Sequence, residues 1–358
     1  MNMKERIRKA RNLMTENNLD AILVTKEENL YYFSGFRGDS TALILTNHDL
    51  LLITDRRYTE QAARQAPDFI VIEQHDGLLR KAADVLQEHG AKAIGFEGNA
   101  LSYSQYKQME RFLAGRSFEI SLTLDTLRQI KDAAEISYIR QACSIADRAF
   151  AHIITYIRPG MTEMEIAAEL ENFMRRHGSE RPAFQTIVAS GVRGSLPHGT
   201  ASEKCIADGE LVTMDFGAVY RGYHSDITRT ICVGRADERQ RELYDAVLSA
   251  QRKALLGIRA GVTGADVDCI ARGYLEEREL GSYFGHGLGH SLGLEIHEEP
   301  RLSKFGKEVL QENMLITDEP GVYIPGWGGI RIEDTVLITQ DGGEPLTRAS
   351  KEFVEICL

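Results

Sequence analysis

The chain has 358 residues, which suits two domains better than one and allows a sizeable core without staples. Its composition, 43% hydrophobic and 27% charged, is that of an ordinary globular protein. A formal net charge of −11 speaks against nucleic acid as a partner, and no apolar run approaches the length of a membrane span.

The first part alternates between helical and extended patterns. Residues 3–17 carry helical periodicity, and 20–25 (DAILVT) read as a buried strand. Two apolar runs between 41 and 54 flank Asn47-His48-Asp49, which predicts a hairpin. Further strands are expected at 69–74 and 93–97, with helices at 58–65, 77–89 and 102–113. Such alternation implies an α/β domain.

Residues 126–158 repeat apolar positions at three- and four-residue steps, which predicts a long amphipathic helix ended by Pro159-Gly160. Thr162 and Glu165 then form a capping box for a helix reaching about Arg176. The domain boundary is placed near 125–132, giving domains of 1–128 and 129–358. No linker, low-complexity segment or internal repeat stands out, and an old diverged duplication in the second part stays open.

Beyond 184 the pattern changes. Residues 210–220 and 222–233 are strand-like and meet at Arg221-Gly222, a tight-hairpin signal. Helices follow at about 237–258 and 264–279, then a Gly/His-rich run at 285–298, then strands near 313–319 and 331–339. Segregated helices and strands imply an α+β domain with a largely antiparallel sheet. Five cysteines (143, 205, 232, 269 and 357) form no C-x-x-C pair. All five are read as reduced, buried, small apolar residues, which fits a cytoplasmic protein, as does a charged start without a signal-peptide core.

The chemistry lies in five segments. Asp215 sits inside the apolar run VTMDFG, where an unpaired carboxylate is costly to bury. Asp226, in SDIT, is expected to fall close to opposite Asp215 across the hairpin, where a cation would cancel their repulsion. The bland alternative is a pair of solvated aspartates. GHGLGH brings His286 and His290 to the same side, and His297 follows. A lone histidine is more often structural, but three in this setting favour function. His297-Glu298 is not a zinc-protease helix motif, because position 301 is Arg. In TDEPG, alternation sends Asp318 and Glu319 to opposite faces, and Asp318 is expected to face solvent. Glu333 closes the set, in GGIRIED. Four carboxylates and one imidazole carry too much charge for one cation. They suit two divalent ions sharing carboxylates, with oxygen-rich ligation favouring Mn²⁺, Co²⁺ or Fe²⁺, and they imply hydrolysis.

The ordered motifs MDFG…SDITRT, GHGLGH…HEEP, TDEPGVY and GGIRIED resemble the pita-bread metallopeptidases, the family of prolidases and aminopeptidase P enzymes. YYFSGF at 31–36 and DRRY at 55–58 resemble that group's N-terminal domain. The resemblance implies a creatinase/prolidase-like α/β domain before a pita-bread catalytic domain. It implies metal ligation by Asp215, Asp226, His290, Glu319 and Glu333, with two ions per subunit, Mn²⁺ first and Co²⁺, Fe²⁺ or Zn²⁺ as alternatives. Glu319 would shuttle protons. His198, His286 and His297 would bind substrate, with His198 or His297 steadying the oxyanion, and Arg301 would meet the substrate's carboxyl end.

The activity implied is hydrolysis of the Xaa-Pro bond in dipeptides or short peptides, with a dipeptidase favoured over an aminopeptidase P. A homodimer is expected, whose partner N-terminal domain closes the cleft. A methionine-aminopeptidase-like enzyme and a non-catalytic peptide-binding relative are the alternatives. The separate N-terminal domain weighs against the first and the complete ligand set against the second.

Overall fold

The computed structural model describes residues 2–357, except the side chains of residues 119 and 120. It divides into two compact units, Met1–Arg128 and Gln129–Leu358. Among the described residues no helix is long and apolar enough to cross a membrane.

The first unit is a six-stranded sheet. Helix α1 (Met3–Glu16) leads to β1 (Ala21–Val24), α2 (Glu27–Ser34) and the antiparallel pair β2 (Ala42–Thr46) and β3 (Leu50–Thr54). Then come α3 (Thr59–Gln65), β4 (Ile70–Glu73), α4 (Leu78–Glu88), β5 (Ala93–Glu97), α5 (Tyr103–Phe112) and β6 (Ser117–Leu122). The strand order is β4-β3-β2-β1-β5-β6, and β2 runs against the rest. Leu23, Ile44, Ile53 and Ile94 are fully buried between sheet and helices, each contributing roughly 1.5–3 kcal/mol. The sequence pattern did not announce α2 and β6. The segment EENLYYFS is rich in strand-prone aromatics, yet it is helical because Tyr32 and Phe33 bury one face and Glu97 accepts the backbone N–H groups of Thr25 and Lys26 at its start.

The second unit begins with α6 (Ala133–Tyr156), which starts seven residues later than its periodicity suggests. Asp132 caps it by accepting the N–H groups of Ala134 and Glu135, which makes the boundary sharp. Helix α7 (Glu163–Arg176) has the expected Thr162/Glu165 capping box. Strands β7 (Ile187–Ser190), β8 (Glu210–Phe216), β9 (Val219–Tyr220), β10 (Tyr223–His224) and β11 (Ile227–Val233) follow. Arg221 and Gly222 turn the chain with φ of 51° and 79°, the paired positive values of a tight hairpin.

Helices α8 (Glu238–Gly257) and α9 (Gly264–Glu276) open the second half. Its strands are β12 (Gly289–Ser291), β13 (Glu298–Leu302), β14 (Leu315–Asp318), β15 (Gly321–Ile324), β16 (Gly328–Arg331), β17 (Asp334–Ile338), β18 (Gly343–Pro345) and β19 (Glu355–Ile356). They complete a four-stranded sheet, β19-β11-β8-β7, and a five-stranded sheet, β13-β12-β14-β17-β18. Residues of α6 and α7 share a core with the first sheet, and residues of α8 and α9 share one with the second.

The two halves repeat one plan. IRPGMT at 157–162 and IRAGVT at 258–263 each end a long helix, turn at a glycine with φ near +90° (88° and 92°), and cap the next helix through a threonine. The matching turns support the diverged duplication that the sequence pattern left open. Its trace is confined to one turn, because the turn needs particular backbone angles while the helices need only a hydrophobic pattern.

Cys143 and Cys232 are buried, but Cys205, Cys269 and Cys357 are exposed, against the expectation of burial for all five. The exposed three lie on a loop, on the outer face of α9 and at the chain end, outside both cores.

Candidate metal centre and substrate cleft

The candidate residues converge on a cleft of 990 Å³ within the second unit. Asp215, Asp226, His290, Glu319 and Glu333 all line it, as do His198, His286, His297 and Arg301. One carboxylate oxygen each from Asp215, Asp226 and Glu333 lies within 4.8 Å of the other two. His290 Nε2 is 3.4 Å from Glu319 Oε1 and 3.6 Å from Asp226 Oδ2.

Their backbones explain the convergence. Asp215 is directly opposite Thr228 in the β8–β11 register, so the expected Asp215–Asp226 facing pair is corrected by two positions. Asp226 lies just before β11 starts, and the period of two keeps it on the same sheet face as Thr228. Glu319 and Glu333 follow β14 and precede β17, paired antiparallel strands with Asp318 opposite Asp334. His290 is in β12, next to β14. Gly289 must be glycine, because a Cβ there would meet Thr317 O at 2.1 Å.

Threonines hold these side chains in place. Thr228 Oγ1 donates to Glu333 Oε2 at 2.6 Å. Thr317 Oγ1 donates to Glu319 Oε1 at 3.0 Å and accepts the N–H of His290 at 3.0 Å. His290 Nδ1 faces Ser291 O at 3.0 Å, which assigns its proton to Nδ1 and leaves the Nε2 lone pair turned toward the carboxylates.

The electrostatics are those of a site whose charge a cation would relieve. Burial first, then repulsion from neighbouring carboxylates, pushes Asp226 and Glu333 well above the usual range. Burial lifts Glu319 to about 7 even though Arg331 opposes it. Burial lowers His290 to about 3, so its imidazole is neutral. Each buried ion costs several kcal/mol unless compensated. Asp215 Oδ1, Asp226 Oδ1 and Glu333 Oε1 are buried without a hydrogen-bond partner. Unpartnered buried oxygens on three neighbouring acidic residues fit a divalent cation.

Arg331 was not singled out by the sequence pattern, although it stands inside GGIRIED. It is buried, donates from Nη2 to Asp215 Oδ2 at 2.6 Å and from Nη1 to the Tyr323 hydroxyl at 2.8 Å. A buried arginine in a strand beside a carboxylate cluster was the available signal. Tyr323 in turn holds His286 Nε2 at 2.9 Å, and His286 Nδ1 faces Gly287 O at 2.7 Å. Both nitrogens of His286 thus have partners in the chain, so a hydrogen bond from it to substrate must displace Tyr323. His297 differs. Its ring is edge-on to His290 at 4.4 Å, and among the described residues no hydrogen bond ties its nitrogens or those of His198. Arg301 is partly exposed beside Glu299.

Asp318 overturns its expected exposure. It is fully buried on the opposite side of β14 from the cleft, because α8 covers that side and supplies Gln251. Gln251 Nε2 donates to Asp318 Oδ2 at 3.0 Å and to Asp334 Oδ2 at 3.2 Å, while Arg229 and Lys351 pair with Asp334. Burial, then repulsion from Asp334, pushes Asp318 well above 3.8. An acid raised on folding stabilises most below its unfolded value, and that contribution is lost as pH rises through its folded value. At neutral pH, Asp318→Asn should therefore raise Tm by about 2–4 °C while activity stays within about twofold. A lower Tm by calorimetry would show that the carboxylate itself is needed.

Known proteins resemble this chain in sequence and fold. The sequence pattern of Metallopeptidase family M24 matches residues 137–340, and that of the Creatinase/Prolidase N-terminal domain matches 6–130. The Xaa-Pro dipeptidase of Pyrococcus furiosus is 42% identical over 355 residues, 98% of this chain and 100% of that one. The structure of an Xaa-Pro dipeptidase from Bacillus anthracis superposes with a TM-score of 0.96 at 42% identity, covering 99% of this chain and 100% of that one. That of an X-Pro aminopeptidase from Thermotoga maritima MSB8 gives 0.90 at 40% identity, covering 94% and 98%.

Proposed function

Because the chain belongs to metallopeptidase family M24, we propose that it is a metal-dependent exopeptidase that hydrolyses Xaa-Pro dipeptides. The observation that carries this is the trio of orphaned carboxylate oxygens on Asp215, Asp226 and Glu333, beside a neutral His290 in an open cleft. Asp215, Asp226, His290, Glu319 and Glu333 would hold two divalent cations, Mn²⁺ first among them. When bound, the cations supply Lewis acidity to the scissile carbonyl and to a water.

The remaining work falls to the chain. Thr317 occupies Glu319 Oε1, so the other oxygen of Glu319 is the one to take the proton of the attacking water and return it to the proline nitrogen. A value raised by burial to about 7 before cation binding suits a group that exchanges protons near neutrality. His198 and His297 offer N–H groups to the developing oxyanion. Phe184, Leu196 and Ile296 give the cleft an apolar wall for a proline ring, whose nitrogen has no hydrogen to recognise. Arg301, beside His290 across the β12–β13 ladder, is placed to pair with a dipeptide's carboxylate.

The relatives include both a dipeptidase and an aminopeptidase, so substrate length is the open choice. Arg301 favours the dipeptide. Purified protein with Mn²⁺ should release alanine from Ala-Pro and leave Ala-Pro-Ala essentially intact. Comparable cleavage of the tripeptide would make it an aminopeptidase P. We also propose a homodimer, to be checked by sedimentation, and a cytoplasmic location, which three exposed free thiols favour because they persist in reducing compartments.

A further inference from the structure

Glu163 opens α7 and is fully buried, away from the carboxylate cluster. Its Oε1 accepts from the backbone N–H of Ser190 at 2.7 Å and from the Ser190 hydroxyl at 2.8 Å. Its Oε2 accepts from the N–H of Ser202 at 3.1 Å, from the Ser202 hydroxyl at 2.7 Å, and from the Arg193 guanidinium. Arg193 also donates to Thr200 O at 2.8 Å. One carboxylate thus ties together both ends of the segment 190–202.

His198 stands on the cleft side of that segment. Its neighbour Pro197 is held through its carbonyl by Arg331 Nη1 at 3.2 Å. No hydrogen bond fixes the His198 ring among the described residues, so its place is set by the backbone that carries it. Charge-assisted bonds are the strongest means of fixing such a backbone. Stability alone does not call for them, since apolar packing usually serves as well as a buried ion pair. A misplacement of about 1 Å at a group touching substrate, in contrast, can lower the rate about 10²-fold.

We infer that Glu163 is a positioning residue for His198, using one oxygen for each end of the loop that presents it. The inference rests on the proposed action of His198 at the substrate. Glu163→Gln keeps the shape but replaces one oxygen by an NH₂ group. Whichever way the amide turns, that NH₂ meets a backbone N–H, at Ser190 or at Ser202, and one end of the loop is released. Ser202→Ala removes one donor to Glu163, together with the acceptor of the Lys204 N–H at 3.2 Å, and is the milder variant.

The test is a double-mutant cycle on Ala-Pro hydrolysis by the Mn²⁺-loaded protein. Glu163→Gln should lower kcat/KM about tenfold or more, and Ser202→Ala about two- to threefold, with bound Mn²⁺ unchanged. In a His198→Ala background each should cost less than about twofold. Equal losses in both backgrounds would mean general damage and overturn the inference. So would full activity of Glu163→Gln while His198→Ala is impaired, and in that case the role of His198 would stand. Full activity of His198→Ala would remove the role of His198 and the inference with it. Should Glu163→Gln fail to fold, the Ser202→Ala cycle decides by the same criterion.

Discussion

Asp226→Asn is expected to lower kcat/KM on Ala-Pro by at least about 10³-fold, since loss of even an outer partner of a metal ligand typically costs 10–100-fold. The asparagine keeps the size of the side chain and removes one of three carboxylates whose oxygens lie within 4.8 Å of one another. The same change should stabilise the cation-free protein. Asp226 is held well above its ordinary range by burial and by Glu333 and Asp215, so ionising it in the folded chain is unfavourable. With chelator present the variant should melt above wild type, and added Mn²⁺ should raise its Tm far less. That crossover distinguishes loss of a ligand from misfolding, which would lower Tm in both conditions. Activity within tenfold of wild type would sink the assignment of Asp226.

The second large effect is on stability. Chelator-treated protein should gain about 5–10 °C in Tm with Mn²⁺ at about 100 times its Kd, because such an excess adds about 2.7 kcal/mol. The gain should depend on pH in a defined sense. Glu319 is raised from 4.5 to about 7 in the folded, cation-free chain. An acid raised in this way stabilises most below about 4.5, and the contribution is lost as pH rises through about 7. A cation reverses this, because it needs the carboxylate ionised and competes with the proton below about 7. His290, lowered to about 3, offers no such competition above that pH. The increment in Tm should therefore be larger at pH 8 than at pH 6, with protons released on binding. An increment that is flat across this range, or largest at pH 6, would show that these carboxylates do not receive the cation.

Much of the molecule was legible because local rules decided it. The capping box at Thr162, the turn at Arg221-Gly222 and the apolar periods of α8 and α9 are each set by neighbours within a few residues. The carboxylates stood out for the same reason, as charges inside strands whose flanking residues must be buried. Even the duplication was written in the paired turns IRPGMT and IRAGVT, although only the repeated backbone angles made it plain.

What the sequence by itself determined, then, was most of the inventory: the longer helices and strands, and which acidic and imidazole side chains must find partners or cations. Tertiary structure alone decided which groups meet. Period two put Asp318 and Glu319 on opposite faces, but only α8 lying over one of those faces made Asp318 a buried residue. A register of Asp215 against Thr228 made the threonine the guide for Glu333, and it brought Arg331 onto Asp215. The physical reason is that hydrophobic pattern specifies that a face is covered, whereas the covering element and its polar side chains come from distant parts of the chain.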